Sequence, residues 1–341
     1  MTLFIGPIAD TGGPAIKNKL LLKYLDPNYD FQVFNTYKRK KIDFIKIILQ
    51  FTFSKEQQII ISVSKNGRRI LYPIILLKKL KTKELKYITI CIGGTIVEDA
   101  LQHRTINKAL QKSDMVSVET KTIKDNVEKK LLLNNVFFMP NYKEMNQLVY
   151  KEANTKYNFN LRFVFLSSVR NVKGVETMLK SFSKLLKEYP DASLDIYGPV
   201  RKDFNIQLLK DIEGNKNITY KGVVNNNQVV RTLSDYDVFL FPTEYDGEGF
   251  PAVIVEAYLA GLVVISSDKN YNTEIVKNKK NGWIFPAGDE KELLTVLKKC
   301  FNNIDELQII SKNNLAEAQL YNAEEVIGAF RNDLIKLGWK L

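Results

Sequence analysis

The residues best suited to chemistry lie in one short string, Glu248-Gly-Phe-Pro-Ala-Val-Ile-Val-Glu256. It follows the apolar run 237–243, reads as the opening of a helix, and leads to Gly261 before a second apolar run. Glu248 stands just before the helix and Glu256 about two turns along it, so both carboxylates can face the same cleft. There they would accept hydrogen bonds from different parts of one long ligand. Carboxylates suit sugar and ribose hydroxyls because such bonds are charge-assisted. Gly249 allows close backbone approach, and Pro251 suits a first helical turn, where its missing N–H costs nothing. The free N–H groups at that helix start can hold a diphosphate or an electron-rich sugar oxygen. A second glycine pair, Gly12-Gly13 before Pro14, lies in a strand-to-helix turn, where glycines also serve ordinary turn chemistry.

The elements that must position these residues alternate along the whole chain. Runs of strand length occur at 3–8, 31–37, 58–63, 87–94, 115–119 and 136–140 in the first half. Residues Ala15–Leu25 have helical spacing, and a lysine-rich helix is expected between the last two runs. The second half repeats the pattern with runs at 162–168, 193–198, 218–222, 237–243 and 262–267, and helical stretches near 175–189 and 250–261. Continuous apolar strands alternating with helices predict parallel sheets covered on both faces, hence two doubly wound domains. Ligands of such domains bind at the carboxyl ends of the strands. The polar stretch 141–160 lacks an apolar period and is expected to be the linker.

Bulk properties narrow the class further. With 341 residues the chain suits two domains, and 45% hydrophobic and 26% charged residues are a globular balance. Cys91 and Cys300 suggest neither a metal site nor a disulfide framework, which fits a reducing compartment. No secretory signal is visible in MTLFIGPIAD, and no run approaches the ~18 apolar residues of a membrane span, so the expectation is a soluble, cytoplasmic chain. The formal charge of +12 is uneven. Residues 1–150 hold 25 Lys and Arg against 13 Asp and Glu, whereas 151–341 hold 25 of each. Such asymmetry points either to an anionic partner for the first half or to a lysine-rich solvated surface. No recognisable motif supports nucleic-acid binding.

Residues 237–268, DVFLFPTEYDGEGFPAVIVEAYLAGLVVISSD, resemble the signature region of the GT4 family of retaining glycosyltransferases, whose fold type is GT-B. Glu248 and Glu256 match that family's Glu-x7-Glu motif, with Gly249-Phe250-Pro251 following the first glutamate. Gly12-Gly13 resembles the glycine loop that approaches the donor phosphates, and Lys173-Gly174 the pair whose lysine contacts the diphosphate. Pro140-Asn141 resembles the pair that closes the acceptor domain, and 220–224, with Val223 and Val224, the loop that brackets the nucleotide base. Asn272, Glu274 and Asn281-Gly282 extend the match. The resemblance implies two facing Rossmann-like domains with parallel sheets and a cleft between them. The acceptor domain would span 1–150 and the nucleotide-sugar domain 151–322, with a closing helix in 323–341 packed back on the first.

Two departures stand out. The family arginine that precedes Lys-Gly falls on Ser168, and Arg170 is expected to take its diphosphate role. No counterpart of the family's acceptor-side histidine is found; the sole histidine, His103, reads as a surface residue. The resemblance implies transfer by front-face attack, with the leaving phosphate accepting the acceptor's proton. Lys173, Arg170, helix N-termini and glycine-loop amides would stabilise that phosphate without a metal. Asp235-Tyr-Asp237 fits a metal-binding string but leads into a buried strand, so Asp237 reads as a structural cap. Glu248 would contact the transferred sugar and Glu256 the ribose. The expected partners are therefore a nucleotide diphosphate sugar, as co-substrate rather than cofactor, and a saccharide or lipid-linked saccharide of a surface polysaccharide. A catalytically silent partner subunit and a sugar-nucleotide epimerase of the same fold are the alternatives. Lys38–Lys41 beside Ile42, Phe44, Ile45, Ile47, Ile48, Phe51 and Phe53, with Lys78, Lys79, Lys81 and Lys83 further on, suits docking on an anionic membrane surface. The same residues also suit core-facing helices with solvated lysines.

Overall fold

The computed structural model describes residues 2–25, 31–145 and 160–340. The chain forms two compact units. The first comprises Met1–Tyr142, Gly247–Phe250 and Ala323–Leu341, and the second Lys143–Asp246 and Pro251–Asn322. Most of the stretch expected to be a linker, 146–159, lies outside the described residues. Its start is no solvated connection: Asn141, Tyr142 and Lys143 are all buried.

The first unit is built on six strands, β1 Thr2–Gly6, β2 Phe31–Asn35, β3 Gln58–Val63, β4 Lys86–Cys91, β5 Met115–Val118 and β6 Val136–Phe138. Their order is β2-β1-β3-β4-β5-β6 and every pairing is parallel. Successive side chains leave opposite faces of a strand, and both faces are apolar here. On one face Phe4, Ile60, Ile88, Ile90 and Met115 pack with Leu21 and Leu25 of the helix Gly13–Leu25 and with Ile327, Phe330 and Leu334 of the helix Ala323–Lys336. On the other, Tyr87 donates to Ala109 O at 2.6 Å on the helix Arg104–Lys112, and Cys91 meets the hydroxyl of Tyr72 on the helix Lys65–Lys81.

The second unit repeats the plan with β7 Arg162–Leu166, β8 Ser193–Tyr197, β9 Ile218–Gly222, β10 Val238–Phe241, β11 Val263–Ser267 and β12 Gly282–Phe285, ordered β12-β11-β10-β7-β8-β9 and again all parallel. Its core joins Phe163, Phe165, Leu194, Ile196, Val238, Leu240, Val263 and Ile265 to Phe182 and Leu297 of flanking helices. Asp237 caps the start of β10 by accepting the Arg162 N–H at 2.9 Å. Strand order reverses between β7 and β10, and in the first unit between β1 and β3. A doubly wound sheet opens a crevice at the carboxyl ends of such strands.

One buried ion pair ties the first unit's helical layer together. Arg68 and Asp99 are both fully buried, 2.6 Å apart, and Arg68 also donates to Ile92 O at 3.2 Å and to the Thr95 hydroxyl at 3.1 Å. Removing one partner leaves a charge in an apolar layer. Arg68→Met is therefore expected to destabilise the protein by about 3–5 kcal/mol, read as a fall in the urea-unfolding midpoint.

Candidate functional site

At the second unit's reversal, the turn after β7 meets the segment after β10. The turn closes as a short 3-10 stretch, Asn171–Lys173, followed by Gly174, which caps the helix Val175–Leu185. Gly174 has φ +69°, and a Cβ there would lie 1.9 Å from Pro242 O. Only glycine lets the two loops approach this closely. Glu244 completes the junction, its N–H donating to Val172 O at 2.9 Å and its carboxylate accepting from the Thr177 hydroxyl at 3.1 Å.

Two of the expected phosphate-binding cations share one aromatic ring here. The Lys173 ammonium lies 5.0 Å from the Tyr245 ring centroid and the Arg170 guanidinium 5.8 Å from the same ring. Lys173 is buried despite its charge, an uncommon environment for lysine. Arg170 is instead partly exposed and already engaged, donating from Nε to Asp203 at 2.9 Å and from its terminal nitrogen at 2.8 Å. That hydrogen bond raises the arginine's pKa and holds the Asp203 carboxyl below the usual range. A phosphate on Arg170 would compete with Asp203. Val223 and Val224 follow β9 at the same carboxyl edge, with Val223 largely exposed after Gly222.

Glu256 sits on the helix Ala252–Leu259, all of whose residues from Ile254 to Leu259 are buried. Pro251 stands at that helix's N-cap, φ −67° and ψ 110°, rather than inside its first turn. A carboxylate on so apolar a helix needs a counter-charge, and Lys143 supplies it through a buried ion pair. Lys143 is itself held by its backbone, its N–H donating to Tyr321 O at 2.9 Å. The sequence reading missed Lys143, taking it for linker; an isolated acidic residue in an apolar helix was the available signal that some cation must answer it.

The other end of the motif belongs to the first unit. Gly247–Phe250 lies over the carboxyl ends of β4 and β5: Gly94 N–H donates to Gly247 O at 3.3 Å, and the Asn141 amide donates to Phe250 O at 3.0 Å. The close approach expected of Gly249 is made to protein. A Cβ there would lie 2.4 Å from Glu119 Oε2 and 3.0 Å from Gly93. Glu119 is buried, accepting from Lys17 Nζ at 2.7 Å and from Gly93 N–H at 3.0 Å. The Lys17–Glu119 pair thus shapes the seat on which Glu248 is presented. Neither residue was singled out from sequence, although Glu119 ends an apolar strand at the edge where sites form. Gly12 and Gly13 are exposed at the start of the helix that carries Lys17, and Gly12 adopts φ +86°. His103 is half-buried at the junction of the helices Ile96–Gln102 and Arg104–Lys112.

The structure thus gathers Lys173, Arg170 and Glu244 in the second unit and seats Glu248, Gly249 and Phe250 in the first. Among the described residues no cluster of three or more His, Cys, Asp or Glu side chains could hold a metal ion.

Comparison with known proteins bears on the family and the fold. The family model for glycosyl transferases group 1 matches residues 146–316. An uncharacterized glycosyltransferase of Haemophilus influenzae is 25% identical over 290 residues, covering 82% of this chain and 77% of that protein. The amylovoran biosynthesis glycosyltransferase AmsK of Erwinia amylovora is 36% identical over 74 residues, covering 20% of this chain and 18% of its own length. Among solved structures, Anabaena Alr3699/HepE in complex with UDP superposes with a TM-score of 0.76 at 14% identity, covering 98% of this chain and 99% of that one. The α/β architecture with two parallel six-stranded sheets is that of GT-B glycosyltransferases.

The buried pair gives a direct test. Lys143→Met alone is expected to lower stability by about 3–5 kcal/mol. Adding Glu256→Leu removes the stranded carboxylate and should restore much of the loss, a coupling that a double-mutant cycle in urea measures.

Proposed function

This chain belongs to the glycosyl transferases group 1, and on that premise we propose that it moves a sugar from a nucleotide diphosphate sugar to a saccharide acceptor with retention at the anomeric carbon. The observation that carries the reading is Lys173, a buried ammonium at the reversal of the second sheet, beside the start of the helix Val175–Leu185. A departing nucleoside diphosphate gains negative charge as the bond to the anomeric carbon breaks. A preorganised cation and helix N–H groups lower the energy of that state without reorganising.

In this reading the acceptor hydroxyl oxygen forms the new bond on the face the leaving group vacates, and its proton passes to the departing phosphate oxygen. No protein nucleophile is then needed. Glu248, seated on the Lys17–Glu119 pair, holds the transferred sugar, and Glu256, fixed by Lys143, receives the ribose hydroxyls; both align rather than react. Val223 and Val224 flank the base, and Gly12 and Gly13 approach the phosphates. The positive charge comes from Lys173, Arg170 and helix ends, so the reaction calls for no metal and no cofactor.

The nucleotide is proposed to be UDP, on the strength of the Anabaena structure's UDP complex. The acceptor is proposed to be a lipid-linked saccharide of a surface polysaccharide such as O-antigen, capsule or exopolysaccharide; the Erwinia relative's part in amylovoran biosynthesis supports it. The enzyme would then work in the cytoplasm against the inner face of the plasma membrane. The described residues contain no helix long and apolar enough to cross a membrane.

A thermal-shift panel of UDP-, GDP- and ADP-sugars tests the donor. UDP-sugars are expected to raise the Tm by several degrees at saturating concentration, with the shift cut sharply in Lys173→Met. A folded protein that no nucleotide stabilises would instead favour a catalytically silent partner subunit.

A further inference from the structure

The helix Lys41–Phe53 carries two apolar stripes. Phe51 is fully buried, and Phe44, Ile47 and Ile48 lie half-buried beside it on the inner side. Ile42, Ile45, Leu49 and Phe53 follow the spacing of three, four and four that lines one helix face. Those four side chains stand in solvent, Ile42 at 69%, Ile45 at 57%, Leu49 at 52% and Phe53 at 76% exposure. The neighbouring helix Lys65–Lys81 is docked to its end, Lys78 Nζ donating to Ser54 O at 2.6 Å and lying 5.7 Å from the Phe51 ring. It too exposes Ile70, Leu77 and Leu80. Scattered exposed apolar residues need no explanation; two neighbouring helices with ordered exposed stripes do.

The charges around these stripes identify what covers them. Lys38, Arg39 and Lys40 lead into the first helix and are exposed, Lys46 is exposed within it, and Arg69, Lys81 and Lys83 are exposed on and after the second. The first helix holds one acidic residue, Asp43. We propose that the outer stripes of helices Lys41–Phe53 and Lys65–Lys81 are a docking face for an anionic phospholipid bilayer. Ile42, Ile45, Leu49 and Phe53 enter the headgroup boundary while Lys38–Lys40, Lys46 and Lys81 meet lipid phosphates. An in-plane amphipathic helix binds a bilayer by this combination of buried apolar area and charge attraction. A second copy of the chain is a poorer occupant, because a two-fold contact through this face would set one cationic rim against another.

This face serves the reading of a membrane-presented acceptor and rests on it for its purpose, but it is measured without any transfer reaction. The test is flotation of the full chain with vesicles of phosphatidylcholine alone or with phosphatidylglycerol added. Wild type is expected to float with the anionic vesicles and not the neutral ones, less so as salt rises. Ile45→Asp with Leu49→Asp, and separately Arg39→Glu with Lys40→Glu, should each weaken partition roughly tenfold or more. Nucleotide stabilisation in these variants should match wild type, which separates failure of the docking face from failure of the donor reading. Equal flotation on neutral vesicles, or partition unchanged by both substitution pairs, would overturn the proposal. So would a wild-type dimer that the apolar-to-acid pair converts to monomer without any vesicle binding.

Discussion

A parallel strand cannot hydrogen-bond to its neighbour without a crossover that carries the chain back across the sheet. The rest of this structure follows from that constraint. The crossovers are helices, so both faces of both sheets are covered and both must be apolar. Phe4, Ile60 and Ile88 face one helical layer of the first unit, while Tyr87 and Cys91 face the other. Polar backbone and ionisable side chains are thereby driven to the strand ends, and at the carboxyl ends the reversals of strand order leave room for a ligand.

Charges placed at such edges are costly unless answered, and the molecule answers them one by one. Glu119 is paired with Lys17 and bonded to Gly93 N–H, and Glu256 is paired with Lys143. Buried pairs of this kind contribute little net stability but fix geometry, because either partner alone is strongly unfavourable. The consequence for function is positional. The Glu119 carboxylate and Gly93 together leave no space for a side chain at position 249, so the backbone beside Glu248 has one place to go. Lys173 is a buried cation placed over the Tyr245 ring beside the start of the helix Val175–Leu185. The proposed chemistry brings the departing diphosphate to it.

How much of this was legible in the sequence depended on how local each signal is. Eleven of the strands were readable as apolar runs, because doubly covered strands need no alternation, though the runs overshoot the true carboxyl ends by one to three residues at β4, β5 and β7, for example. The overshoot falls in the loops that bear the site, where backbone leaves the sheet while side chains stay apolar. Strand β12 was missed: four residues, Gly-Trp-Ile-Phe, give no period. Lys143 was hidden because its partner is 113 positions away, and Arg170's engagement with Asp203 because neither spacing nor residue type foretells an ion pair across two loops. The outer stripe Ile42–Phe53 and the inner stripe interleave, so sequence alone could not tell a core helix from a surface one.

The measurement that bears most directly on the account is hydrogen exchange of the full chain with and without UDP, since amide protection locates a bound nucleotide without requiring an acceptor. The account predicts slower exchange in the turn after β7, residues 167–175, in the loop after β9, residues 222–225, and around 243–258, with little change elsewhere in the second unit. Binding with protection confined to the cavity of about 330 Å³ lined by Ile206, Leu209 and Tyr220, and none near Lys173 or Glu256, would contradict it.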